Sequence, residues 1–71
     1  MTFPQLVAEV QKLLGREVSP EDTKLAYAML VPAIERSVIS PALEERIARE
    51  TAAIVAERMG DSAAASALRL T

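Results

Sequence analysis

Two pairs of adjacent carboxylates, Glu21-Asp22 and Glu44-Glu45, are the first residues whose type and spacing suggest chemistry, as a metal site or an acid–base pair. Consecutive residues on a helix point about 100° apart, so neither pair converges on one ion. Each pair follows a Ser-Pro step, Ser19-Pro20 and Ser40-Pro41. Acids just inside a helix start complement the positive end of its dipole, and we adopt that reading for both.

The serines offer nucleophiles without a base. The chain has no histidine and no cysteine, so a serine triad, a thiolate or imidazole metal site and a disulfide are all excluded. A serine–lysine dyad has only Lys12 and Lys24 to draw on. Ser19 and Ser40 precede prolines and are read as helix caps. Ser62, after Gly60-Asp61, resembles the serine of carrier proteins that takes a phosphopantetheine arm. Alanine follows it here instead of leucine, and it stands near the end of the chain, so that reading is set aside. The two glycines fall at helix ends, which leaves no phosphate-binding loop. No catalytic residue, cofactor, metal ligand or small-molecule substrate is expected, and the chain is read as a non-enzyme.

Arg46 and Arg49 are the remaining candidates, as phosphate or base contacts in a helix-turn-helix arrangement. Glu44, Glu45 and Glu50 stand among them and repel phosphate. The whole chain carries eight basic and ten acidic residues, a net charge of −2, far from the basic face that nucleic acid demands. A small DNA-binding regulator therefore stands as the alternative reading, behind protein binding.

The elements that would position these residues are all helices. Thr2 with Gln5 forms a capping-box pattern, with Met1 and Leu6 at the positions of a hydrophobic staple. Phe3, Leu6, Val7, Val10, Leu13 and Leu14 then recur at helical spacing, up to Gly15 as the stop. After the link Arg16–Val18, with Val18 turned inward, Ser19-Pro20 opens a second helix. Its stretch Leu25 to Ile39 holds the longest apolar run and, within it, Pro32. Its apolar residues fall on two lines, one through Ala26, Met29, Ala33 and Ser37, the other through Tyr27, Leu30, Val31, Ile34 and Val38. A helix apolar around most of its circumference is normally buried, so this one is expected at the centre, kinked at Pro32 and not divided there. Ser40-Pro41 opens a third helix, running to about Met59. Its inner face comprises Leu43, Ile47, Thr51, Ile54 and Val55, with Ala48, Ala52 and Met59. Two local pairs, Glu45–Arg49 and Arg46–Glu50, are expected on its outside. Gly60 ends it, and Asp61 caps a short alanine-rich fourth helix from Ser62 to Leu70, expected to fray or to be ordered by a partner. The expectation is one all-α domain over residues 1–71: a small bundle of three long helices plus a short C-terminal one.

At 71 residues a chain without disulfide or metal must rely on very regular packing or on a partner. Its composition, 51% hydrophobic against 25% charged, favours the partner. The apolar run is too short to cross a bilayer and the start lacks the pattern of a secretory signal, so a cytoplasmic location is the default. The residues that a bundle of this size cannot all bury, Val31, Val38, Ile39, Leu68 and Leu70, are the expected protein interface. A homo-oligomer or an obligate complex follows.

The stretch Leu6 to Val38 resembles the first half of the small helical head–tail connector proteins of tailed phages. It carries the Leu14-Gly15-Arg16 turn and the Ser19-Pro20-Glu21-Asp22 start of a longer apolar helix; beyond it, the third helix opened by Pro41, Ala42 and Leu43 is similar in style. The resemblance covers about half the chain. It implies a role in virion assembly and a location in the virion. Connectors usually have a longer insert between the second and third helices and a longer C-terminal arm; here the joint is a single serine and only eleven residues follow Gly60.

Overall fold

The computed structural model describes residues 2–35 and 41–70, the side chains at 33–35, 41, 42 and 70 excepted. Four helices account for nearly all of them: α1 (Phe3–Leu14), α2 (Pro20–Glu35), α3 (Pro41–Arg58) and α4 (Ser62–Leu70). No strand occurs among the described residues.

Local signals set the helix ends. The Thr2 hydroxyl accepts from the Gln5 N–H at 3.4 Å, and the Gln5 side-chain oxygen accepts from the Thr2 N–H at 2.8 Å, closing the capping box. Met1, the other half of the proposed staple, lies outside the described residues. Gly15 takes φ +70°, and both its own N–H and that of Arg16 return to the Gln11 carbonyl, at 2.8 and 3.2 Å. The Gln11 side chain also accepts from the Val18 N–H at 3.3 Å, which holds the link while Val18 goes into the core. Ser19 Oγ accepts from the Glu21 N–H at 3.2 Å, and the Ser19 carbonyl takes the first intrahelical bond, from Thr23. The matching role of Ser40 lies outside the described residues, although α3 does begin at Pro41.

One turn joins α3 to α4. Gly60, at φ +81°, donates to the Glu57 carbonyl at 3.0 Å, and Asp61 donates to the Ala56 carbonyl at 2.8 Å. That pair of bonds is a Schellman closure. The Asp61 carboxylate then caps the next helix, accepting from the Ala64 N–H at 3.1 Å. A single peptide thus ends one helix and starts another.

The helix at the centre is α3, not α2. It packs against each of the other three, whereas α1 barely meets α2. The run Thr51, Ala52, Ala53, Ile54, Val55 and Ala56 is buried all the way round. The main core joins Leu6 and Val10 of α1, Val18 of the link, Ala26 of α2, and Ala48, Ala52, Ile54 and Val55 of α3. Leu14, Tyr27, Leu30, Ile47 and Met59 pack against it from its edges. The expectation for α2 reverses because burial requires neighbours on every side. Only α3 offers α2 a broad face, and it meets the small residues Thr23 and Ala26, which allow the axes close together.

α2 runs through Pro32 as one helix. Pro32 has no N–H for the Ala28 carbonyl. Both residues are exposed, so the carbonyl left without a donor is on the solvent side.

α4 also departs from expectation, because it is docked within the chain. Ala65 joins Ala53 and Ala56 of α3 in a second cluster, flanked by Leu14, Ala64 and Leu68. Alanine against alanine buries little area per residue, yet it lets the two helices lie along each other closely.

The ion pairs follow the same tertiary logic. Asp22 of α2 meets Arg58 of α3 at 3.5 Å, Arg16 of the link meets Asp61 at 3.8 Å, and Glu57 of α3 pairs with Arg69 of α4. The expected local pairs, Glu45–Arg49 and Arg46–Glu50, are not formed among the described residues. These partners are part-exposed and each pair contributes at most about 1 kcal/mol. Their value is in fixing which helix lies beside which.

Candidate interaction surface

The packed side of α2 carries Thr23, Ala26, Tyr27 and Leu30. Its opposite side carries Leu25, Ala28, Met29 and Pro32, spaced i, i+3, i+4, i+7, and all four are exposed. Leu25 retains 50% of its surface and Met29 66%. Two large apolar side chains thus stand a turn apart on a solvent-facing ridge, flanked at its N-terminal end by Glu21 and Lys24, also exposed.

A second surface lies between α1 and α3. Gln5, Ala8, Glu9 and Leu13 line one wall and Glu44, Glu45, Ala48 and Arg49 the other, around an open groove of ≈ 650 Å³. Ala8, Leu13 and Ala48 are its apolar lining, Ala48 buried and the other two exposed. Glu9, Glu44, Glu45 and Arg49 are its charged lining.

Of the sequence candidates, Val31 and Leu68 are the ones whose side chains are described. Val31 is half-buried beside Pro32, at the C-terminal end of the ridge. Leu68 is half-buried against both core clusters, so much of its burial is already supplied within the chain. Val38, Ile39 and the Leu70 side chain lie outside the described residues. Leu25 and Met29 were missed as surface residues. No sequence signal singled them out: the ridge takes Met29 from one apolar line of α2, while Leu25, Ala28 and Pro32 belong to neither line.

Of the groups considered for chemistry, Glu44, Glu45 and Arg49 line the groove together and the other described ones are dispersed. Asp22 faces Arg58 while Glu21 stays exposed, so that carboxylate pair is split. Among the described residues no three acidic side chains come together to hold a metal ion. Ser19 is occupied as a cap, and Ser62 is exposed at the start of α4. Arg49 lines the groove with Glu9, Glu44 and Glu45, and Arg46 is exposed on the same helix. Phosphate approaching Arg49 would be repelled by the three carboxylates that line the same groove. Among the described residues no helix is long and apolar enough to cross a membrane.

Thr51 is the one fully buried side chain whose hydroxyl has no hydrogen-bond partner among the described residues. It is enclosed in α3 and does not line the groove. An orphaned buried hydroxyl costs roughly 1–3 kcal/mol.

No protein-family model matches this chain, and no curated protein or solved structure matches it either.

Proposed function

We propose that this chain is a non-enzymatic assembly module that works by binding further copies of itself. The observation that carries the reading is the exposed ridge of α2, set against a core with few large side chains. Among the described residues, the largest side chains withdrawn wholly from solvent are Val10, Val55, Thr23 and Thr51. Meanwhile Leu25 and Met29, each larger than any of those, are left in water. Burial is worth roughly 25 cal/mol per Å² of apolar surface, so covering the ridge is a substantial reserve for association, less the cost of ordering two chains.

Val31, at the end of the ridge, belongs to the proposed interface; Val38 and Ile39 follow α2 in sequence, and Leu70 is proposed with them from the end of α4. Leu68 contributes mainly to the chain's own core. The resemblance to phage head–tail connectors supplies a setting for such an assembly, a virion in which one small chain is used many times.

The test is mass in solution. Light scattering at concentrations up to tens of micromolar is expected to give a multiple of the 7.7 kDa chain, falling on dilution. A monodisperse single chain throughout that range would end the self-association reading.

A further inference from the structure

We infer that α4 is an exchangeable arm: the seam it fills on α3 of its own chain it can fill on α3 of a second copy, and Gly60 decides between the two. The inference makes no use of the α2 ridge and stands apart from the association proposed above.

Only Met59, Gly60 and Asp61 separate the end of α3 from the start of α4. Among the described residues Gly15 and Gly60 alone have positive φ, so the reversal of the chain here depends on one left-handed glycine. No proline follows Pro41. With Gly60 in the right-handed conformation, α3 and α4 would run on as one helix. In the turn, the Ala56 and Glu57 carbonyls accept from Asp61 and Gly60. In the helix the same two carbonyls would accept from Gly60 and Asp61, so the backbone bonding of the joint is conserved. The turn at Gly15 lacks that option. Val18 is buried in the link that follows it, and Pro20 disfavours a helical Ser19.

A continuous helix from Pro41 to Leu70 would be about 45 Å long. The longest extent of the closed chain is 31 Å, so straightening carries α4 off its own seam. Ala65 and Leu68 then leave Ala53, Ala56 and Leu14, and each side needs cover. The α4 of a second straightened chain brings the same side chains to the same places, since they are the ones seated there in the closed chain. The Glu57–Arg69 pair re-forms between the two chains. What is lost is confined to the turn: the Arg16–Asp61 pair and the Asp61 cap on the Ala64 N–H. Leaving the seam costs little, because each alanine exposes little area. A short hinge favours such exchange, and a chain with one arm and one seam closes reciprocally at two copies.

The test uses a Met29→Glu parent, whose charged ridge takes the association proposed above out of the readout. Gly60→Ala penalises the left-handed turn, meets no atom within 4 Å and favours the continuous helix. It is expected to double the parent's mass in light scattering, with equal or higher helicity by circular dichroism. Gly15→Ala carries the same backbone penalty, again with nothing within 4 Å, and is expected to leave the mass unchanged. Asp61→Ala removes the cap and the Arg16 pair, both made only in the closed turn. It serves as a second hinge variant, also expected to double the mass, should Gly60→Ala lose helicity.

Charge reversal then identifies the contact. Added to the hinge variant, Glu57→Arg or Arg69→Glu sets like charges across the seam, whether the chain is closed or exchanged with its own kind. A dimer with one of each has opposite charges at both places. Mixed at low salt, where exposed pairs are least screened, the two should pair with each other well above the half that chance gives. Native mass spectrometry reads that fraction. Hinge variants that stay helical at the parent's mass overturn the exchange. A doubled mass with chance pairing overturns it too, since the contact would then lie elsewhere. Failure of the ridge reading is seen separately, as a wild-type chain with the same mass as the Met29→Glu parent.

Discussion

Along α2 stand Leu25, Tyr27, Met29, Leu30 and Val31, yet the described side chains it buries are Thr23 and Ala26. Along α3 the polar and charged residues outnumber the large apolar ones, yet six consecutive residues, Thr51 to Ala56, are buried. Half of that run is alanine. The difference shows that apolar content did not decide which helix became central; the number of neighbours did. An alanine-rich helix can be approached from three sides at short axial distance, which α1, α2 and α4 do. A helix bristling with leucine and methionine keeps partners further away and, in so small a chain, finds a broad partner on one side only.

The strongest way to break the comparison is to give α3 the side chains of α2. Ala52→Leu adds volume where there is none and should cost about 1–3 kcal/mol, read as a lower denaturant midpoint. Stability close to wild type would mean that α3 is less tightly enclosed than its burial implies. Removing the cap that starts α2 is next in size: Ser19→Ala should cost about 1 kcal/mol with the fold retained. Thr51→Val acts in the opposite direction on α3. It deletes a hydroxyl without a partner while keeping the branched shape, so a gain of about 1 kcal/mol is expected in thermal melts. A loss of that size would reveal a bond to the hydroxyl. The smallest effect belongs to the ridge. Met29→Gln should move single-chain stability by less than about 0.5 kcal/mol, since the side chain is mostly in solvent already.

What was legible in the sequence was what short-range chemistry decides. Thr2 with Gln5, Gly15, Ser19-Pro20, Gly60 and Asp61 each act on backbone groups within a few residues, so type and spacing sufficed to place four helices. The inner face of α3 was legible too, apart from Ala53 and Ala56, whose burial depends on α4 lying across them. The inward side of α2 was not legible: it takes Ala26 from one apolar line and Tyr27 and Leu30 from the other, leaving Met29 out, and that choice depends on what α3 presents in return. The ion pairs divide in the same way. Spacing along α3 suggests Glu45–Arg49 and Arg46–Glu50, whereas Asp22–Arg58 and Arg16–Asp61 join residues far apart in sequence. Of the candidate surface, the sequence supplied the idea of leftover apolar residues and Val31 at one end. The ridge at Leu25 and Met29, and the groove across α1 and α3, exist only once the helices are packed.

The alanine seam between α3 and α4 has a calorimetric consequence. Heat-capacity change on unfolding scales with the apolar area newly exposed to water, on average about 12–15 cal/mol/K per residue. Ala53, Ala56 and Ala65 each expose little when the seam opens, and the main core contributes Ala26, Ala48 and Ala52 in the same manner. The single chain should therefore lie at or below the low end of that range. Its stability would vary gently with temperature, a shallow dome, with cold and heat each removing it slowly. Assembly through Leu25 and Met29 would add the missing apolar area, and with it the curvature.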